Sequence, residues 1–368
     1  MFKRRNRGKY FFFFDRYVIG GAERVHIDIL NCLVDSDKQV YFTRFSKDDT
    51  LKKEFYAIPN TLSKDIHFWC DNLLFRLFTV HYYSFYINRH EDAHVFSSLS
   101  TFFYDMLFFI RKDIVRTELL HSFTFGKKGL EFFGLANCKY LDNRMTIDIA
   151  TRDNILEQYS KYNIDEKYRL HVQLIENGVY IPDNYEKKIS MPLKVLYAGR
   201  GTPQKRIYLL DKIAEYCIKE GMPVEFHFAG TMMNELSDFV KKHSILHGEI
   251  ADISELQKLY IECHVILLTS AYEGFPMFIK EGMAFGCVPV VTALQGNKTH
   301  LTDSQNALFI ESINDESLVV KQGIEKIKFL IENDLVLQDL SINAYEYARR
   351  NFDKKLFLAK YKVFFSKK

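Results

Sequence analysis

A chain of 368 residues has room for roughly two domains of ordinary size. Its 47% hydrophobic and 26% charged residues make a globular composition and exclude a disordered chain. A formal net charge of +3 excludes the strongly basic balance of a nucleic-acid binder, so no nucleic-acid partner is expected. No apolar run reaches the roughly 18 residues that span a bilayer. The longest candidate, Phe102 to Ile110, is interrupted by Asp105. The six cysteines (Cys32, Cys70, Cys138, Cys217, Cys263, Cys287) show no paired spacing, which reads as reduced thiols of a cytoplasmic protein.

Lys3, Arg4, Arg5, Arg7 and Lys9 make the amino terminus basic, which fits either a solvated end or weak contact with a membrane surface. Tyr10 to Phe14 is too short, and lacks the small-residue cleavage site, for a leader; it reads as a first buried strand. The 33 Phe and 22 Tyr are expected mostly in the core, with some on a face that meets lipid. Gly20-Gly21-Ala22-Glu23-Arg24 then leads into a helix with Val25, Ile29, Leu30 and Leu33 at helical spacing. Two glycines there let a ligand approach the backbone closely, or simply make a tight turn. Asp35-Ser36-Asp37 reads as a polar turn before a strand at Gln39–Phe42. His90-Glu91-Asp92-Ala93-His94 fits a zinc-protease spacing, but a strand-like run at Ala93–Ser97 denies it the single helical face that zinc requires. His121 ends a strand that starts near Arg116. A helix is expected over Ile155–Tyr162, and a strand and turn over Gln173–Val179.

The polar stretch 183–192 reads as a linker. A second domain opens with a strand to Gly199, followed by Arg200-Gly201-Thr202-Pro203-Gln204-Lys205-Arg206. Gly199-x-Gly201 invites a dinucleotide reading, but Gln204 stands where the third glycine is needed and the next strand, Val224–Phe228, ends in Ala229-Gly230 rather than an acid. Arg200 and Lys205 instead suit a diphosphate. A short strand from Ser244 leads to Glu249 and Ile250, and a helix is expected over Glu255–Cys263. A strand from His264 to Leu268 precedes Glu273-Gly274-Phe275-Pro276, a helix to about Gly286, and a returning strand at Val288–Val291. Glu273 falls in the loop at a strand's carboxyl end, where ligands bind in parallel sheets, and Glu281 lies more than one turn inside the helix. Such carboxylates can accept hydrogen bonds from sugar and ribose hydroxyls, and the loop amides between them suit a phosphate. Helices over Glu316–Asn333, Gln338–Arg350 and Lys355–Phe365 close the chain.

The string Glu273-Gly274-Phe275-Pro276 with Glu281-Gly282-Met283-Ala284-Phe285-Gly286-Cys287-Val288-Pro289-Val290 resembles the signature of family 4 retaining glycosyltransferases. Gly199 to Arg206 resembles that family's second-domain opening, and Gly20 to Arg24 its first loop. The resemblance is strong over 194–292 and weaker over 1–182. It implies an α/β protein of GT-B fold, two Rossmann-like α/β/α domains facing each other across a cleft. An acceptor-binding domain would cover 1–182, a nucleotide-sugar-binding domain 193–350, and a terminal helix in 351–368 would cross back to the first. The resemblance also implies a donor that is a UDP- or GDP-linked sugar and a saccharide or lipid-linked acceptor, in polysaccharide or glycoconjugate synthesis on the cytoplasmic side or peripherally on the membrane. Arg200 and Lys205 would grip the pyrophosphate, Glu273 the donor sugar and Glu281 the ribose, with the anomeric configuration retained. Gly20, Gly21, Gly199, Gly274, Phe275 and Pro276 would border the donor, the backbone at Glu249 and Ile250 its base, and His121 the reacting centre or acceptor. No metal or other cofactor is then needed, since fixed cations stabilise the leaving group. Gln295-Gly296-Asn297-Lys298-Thr299-His300 departs from the family's Gly-Gly-x-x-Glu and leaves the sugar open. The competing readings are a sugar-nucleotide epimerase, a non-catalytic scaffold subunit of the same fold, and, least favoured, an NAD-linked oxidoreductase.

Overall fold

The computed structural model describes residues 10–18, 20–124, 129–185, 191–231, 233–250 and 252–366. The basic residues Lys3 to Lys9 and positions 186–190 of the expected linker lie outside the described residues. The chain divides into two compact units, one up to Asn177 together with the residues from Phe357 on, the other Gly178–Leu356.

The first unit is a parallel sheet of seven strands among the described residues: β1 Tyr10–Phe14, β2 Lys38–Phe42, β3 Thr61–Asp65, β4 His94–Ser98, β5 Val115–Leu120, β6 Asn143–Thr146 and β7 Val172–Leu174. Their order is β3-β2-β1-β4-β5-β6-β7. A parallel sheet covered on both faces needs apolar residues at every position rather than in alternation. Tyr10-Phe11-Phe12-Phe13-Phe14 meets that demand, and all five are buried. Phe12 and Phe14 pack on one face with Phe357, Tyr361 and Phe365 of the last helix, Lys354–Ser366. Phe11 and Phe13 pack on the other with Phe102, Phe103 and Met106.

The second unit adds β8 Leu193–Gly199, β9 Val224–Gly230, β10 Ile245–Gly248, β11 Val265–Leu268, β12 Val288–Thr292 and β13 Leu308–Ile310. These are parallel in the order β10-β9-β8-β11-β12-β13. Its helix Met277–Ala284 follows Pro276, whose φ of -61° suits a helix entry. The chain then reverses through Gly286 at φ +70°, a left-handed position that suits glycine. A Cβ there would also meet the Tyr185 ring at 2.3 Å.

Several expected elements shift. The helix expected over Ile155–Tyr162 spans Ile149–Lys161, because Asp148 caps it by accepting from the Thr151 N–H at 2.7 Å. The helix expected from Gln338 begins at Asp334, directly after Glu316–Glu332. His94 sits in β4 beside Thr117 while His90 contacts the Tyr86 carbonyl, so the two do not share a helical face. A helix that the sequence pattern did not single out, Leu73–Ile87, follows the short helix His67–Asp71. All six cysteines are free and buried. Among the described residues no helix is long and apolar enough to cross a membrane.

Candidate functional site

In an open parallel sheet ligands bind beyond the strands' carboxyl ends, where the strand order reverses. In the second unit that point lies between β8 and β11, because β9 and β10 extend one way from β8 and β12 and β13 the other way from β11. The loops leaving those two strands carry Arg200 and Lys205 on one side and Glu273 on the other.

The two loops are laced together. The Ala271 N–H donates to the Gln204 carbonyl at 2.9 Å, and the Gln204 side-chain amide donates to the Tyr272 carbonyl at 2.7 Å. The Thr269 hydroxyl donates to the Arg206 carbonyl at 3.2 Å. Arg206 takes a left-handed conformation, φ 51°. Its buried guanidinium donates to the carbonyls of Thr269 (2.6 Å), Ser270 (3.0 Å) and Ile313 (2.7 Å). Arg206 therefore clamps the loop, and Lys205 beside it is left to point its charge at a ligand or a carboxylate.

Lys205 donates to Glu273 Oε1, and the Ser270 hydroxyl donates to the same oxygen at 2.9 Å. Both side chains of the ion pair are largely buried, Lys205 at 21% and Glu273 at 10% exposed. Arg200 is exposed and, among the described residues, faces no carboxylate at ion-pair distance. Its carbonyl accepts from the Tyr197 hydroxyl at 3.2 Å. Burial pushes the Tyr197 hydroxyl pKa above the tyrosine range, and the charge of Glu273 adds to that, while Arg200 opposes it. So Tyr197 lies within the field of both loops. Its ring is 5.9 Å from Phe278, which is 6.0 Å from Tyr260. The Tyr260 hydroxyl donates to Glu281 Oε2 at 2.8 Å. The array therefore runs from Arg200 through Tyr197, Phe278 and Tyr260 to Glu281 without leaving the unit.

Gly199 ends β8, and Gly274 borders Glu273. A Cβ on Gly296 would lie 1.7 Å from the Gly274 carbonyl, so the segment after β12 packs backbone to backbone on the Glu273 loop. Phe275 turns its ring into the core, 4.5 Å from His300 and 5.5 Å from Phe352. What Gly274 and Phe275 offer a ligand is their N–H groups, which have no acceptor among the described residues. Ile250 packs on the apolar cluster that holds Phe275 and Ile279, and Glu249 beside it is exposed.

Gly20, Gly21 and His121 belong to the first unit. Gly20 precedes the helix Gly21–Asn31, and the Glu23 carboxylate lies against it. His121 follows β5 and its Nε2 lies 3.0 Å from Nε2 of His26, on that same helix. His26 stacks on Phe14 at 4.1 Å. Burial, reinforced by His121, holds the His26 pKa well below the usual histidine value, and burial brings that of His121 down to about 4. The folded chain thus refuses protons that the unfolded chain binds below about pH 6.5, so stability is complete above that pH and falls as pH drops toward 4. His121→Gln should flatten the melting-temperature profile between pH 6.5 and 4 relative to wild type; parallel profiles would contradict this origin.

The sequence reading did not single out His26, Glu23, Tyr197, Tyr260 or Ser270. Glu23 stood inside the glycine string and Ser270 at a strand end, which were usable signals. Tyr197 and Tyr260 carried none, because tyrosines in a buried strand and an ordinary helix look like core.

Residues 192–327 match the family model described as glycosyl transferases group 1. An uncharacterized glycosyltransferase of Methanocaldococcus jannaschii is 26% identical over 208 residues, 53% of this chain and 54% of that protein. The poly(ribitol-phosphate) alpha-N-acetylglucosaminyltransferase of Staphylococcus aureus is 25% identical over 225 residues, 60% of this chain and 43% of that protein. The chain thus spans about half the length of these curated relatives. Among solved structures, Alr3699/HepE of Anabaena in complex with UDP superposes with a TM-score of 0.74 at 15% identity, covering 97% of this chain and 99% of that one. TarM gives 0.73 at 14%, with the same coverage. These likenesses establish a GT-B fold.

Proposed function

We propose that this chain, a GT-B protein whose residues 192–327 are a group 1 glycosyl transferase segment, moves a sugar from a nucleoside diphosphate onto a saccharide or lipid-linked saccharide acceptor. The observation that carries the reading is the Lys205–Glu273 pair, which joins the loops leaving β8 and β11 where the strand order of the second unit reverses, with Glu281 held by Tyr260 on the helix that follows the second loop.

Breaking the anomeric bond moves negative charge onto the diphosphate. Lys205, Arg200 and the N–H groups of Gly274 and Phe275 are the fixed positive groups that stabilise it, so the reading includes no metal or other cofactor. Glu273 holds the Lys205 ammonium in place. With donor bound, that ammonium is shared between Glu273 and a phosphate oxygen, and the free face of the carboxylate accepts from sugar hydroxyls. Glu281, oriented by Tyr260, takes the ribose diol. The backbone at Glu249 and Ile250 borders the base. In the first unit His121 meets the acceptor, and Gly20-Gly21 borders the donor, with open space where a Cβ on Gly21 would stand.

The Anabaena protein was crystallised with UDP, and the Staphylococcus relative is named for transfer to poly(ribitol-phosphate). Those names favour a uridine donor and a polymer acceptor. Six free buried thiols fit action on the cytoplasmic side. Retention of configuration belongs to the same reading.

The test is incubation with radiolabelled UDP- and GDP-sugars, with and without saccharide acceptors. Labelled product with equimolar nucleotide release, and an anomeric proton coupling that matches the donor's, is expected. Nucleotide release with no transferred sugar, or no release from any donor, would count against transfer.

A further inference from the structure

His26 and His121 meet edge to face in the first unit, their ring centroids 5.1 Å apart and the two Nε2 atoms 3.0 Å apart. Two imidazole nitrogens at that distance share one proton, and the ring that owns it fixes the tautomer of both. Both rings are neutral at pH 7, because burial holds the His26 pKa well below the usual histidine value and brings that of His121 to about 4. Each ring therefore carries a single N–H, and only one of the two can lie in the shared contact.

The surroundings decide the owner. His26 is 1% exposed, on a helix whose Val25, Ile29 and Leu30 are buried beside it, and its ring stacks on Phe14 at 4.1 Å with 2° between the planes. Its Nδ1 is buried and has no hydrogen-bond partner among the described residues. Were the His26 proton on Nδ1, a buried N–H would face no acceptor, and an orphaned buried donor is the rarer defect in folded proteins. His121 is placed differently. It follows β5 at the strand's carboxyl end, is half-buried, and makes no other hydrogen bond among the described residues. A proton on its Nδ1 can be met by water or by a ligand. The Nε2–H of His26 thus donates, and Nε2 of His121 accepts.

We propose that His26 is a positioning residue that holds His121 in the tautomer protonated on Nδ1. On the reading that His121 meets the acceptor, an acceptor oxygen then receives a hydrogen bond from that neutral N–H. The Nε2 lone pair is taken by His26, so His121 orients the acceptor and has no free lone pair with which to act as a base.

Nitrogen–proton correlation spectra of the full chain, labelled at histidine, report which nitrogen of each ring is protonated. The spectra of His26→Gln and His121→Gln chains pick the two rings out of the chain's 12 histidines. At neutral pH the Nε2–H form of His26 and the Nδ1–H form of His121 are expected; the reverse assignment would overturn the proposal. Turnover is the second readout. A Gln amide nitrogen can stand where His26 Nε2 stands, an Asn amide nitrogen reaches only the Nδ1 place, and Phe keeps the stacking on Phe14 without a donor. His26→Phe and His26→Asn should lower kcat about tenfold or more while KM for the nucleotide sugar holds, and His26→Gln should keep most of it. A residue that only packs would instead track the melting temperature, which His26→Phe should preserve. His26→Phe at wild-type kcat, or His26→Gln no better than His26→Phe, would overturn the proposal. A wild-type chain that transfers no sugar would sink the transferase reading instead, and the spectra alone would then decide the tautomers.

Discussion

Lys205→Ala is expected to lower turnover by about 10²- to 10³-fold, the loss that follows removal of one fixed donor from a developing charge, roughly 3 to 4 kcal/mol. The size rests on placement. Lys205 is mostly buried and its loop is pinned by Arg206 and by the Gln204 bonds to the opposite loop, so no reorganisation is needed when charge appears on the leaving group. Among the described residues, the substitution also leaves the inner oxygen of Glu273 with the Ser270 hydroxyl alone as donor, so a smaller loss of stability, about 1–3 kcal/mol, should accompany it. The two effects separate: Glu273→Gln with Lys205→Ala should recover stability but not turnover. Turnover at saturating donor is the measurement. A Lys205→Ala chain within threefold of wild type would remove the ammonium from the mechanism.

Glu118→Ala should cost the first unit about 3–5 kcal/mol, the usual result of leaving one member of a buried ion pair alone. Glu118 on β5 and Arg144 on β6 are 2.9 Å apart, with side chains 2% and 0% exposed. Register makes the pair, since Glu118 and Arg144 are direct neighbours across the two strands. Arg144 also donates to the Tyr159 hydroxyl at 3.1 Å and the Glu131 carbonyl at 3.2 Å, and the Tyr104 hydroxyl donates to Glu118 at 2.6 Å. Burial alone would favour loss of the Arg144 proton, but the charge and hydrogen bond of Glu118 together with the Tyr159 and Tyr104 hydroxyls outweigh it and keep the guanidinium charged. Once Glu118 is gone, no carboxylate among the described residues pairs with that charge at ion-pair distance. Replacing both residues by apolar ones of similar volume, Glu118→Met with Arg144→Leu, should cost much less, because no buried charge remains. Urea unfolding followed through the first unit's tyrosines separates the cases; equal losses in the single and double variants would refute the pairing argument.

The parts of the fold most legible in the sequence were those whose local chemistry left one choice. The segment 265–292 has a β-branched strand, a Gly-x-Pro loop, a short helix and a glycine exit, and each occurs within two residues of its expected place. The helix Leu73–Ile87 was opaque for a physical reason. A helix shows itself through a polar face, and Leu-Leu-Phe-Arg-Leu-Phe-Thr-Val-His-Tyr-Tyr-Ser-Phe-Tyr-Ile has little of one. Contacts set by sheet order were equally hidden. Lys205 and Glu273 stand 68 residues apart, and His26 and His121 95 apart, so their pairing depends on which strands lie side by side. The sequence marked Lys205, Glu273 and Glu281 as chemistry-bearing; it could not show that Ser270 and Tyr260 would orient the two acids.

Thermal unfolding of the full chain in the presence of UDP, with GDP and ADP alongside, bears most directly on the second unit as a nucleoside diphosphate site. A ligand that binds only the folded chain stabilises it by about 2.7 kcal/mol at a hundredfold excess over Kd. UDP should raise the melting temperature with the logarithm of its concentration above Kd, and Glu281→Ala should weaken that response by about 1.5–3 kcal/mol in binding, roughly ten- to a hundredfold in Kd. A melting temperature indifferent to all three nucleotides, or a UDP response undiminished in both Glu281→Ala and Lys205→Ala, would contradict it.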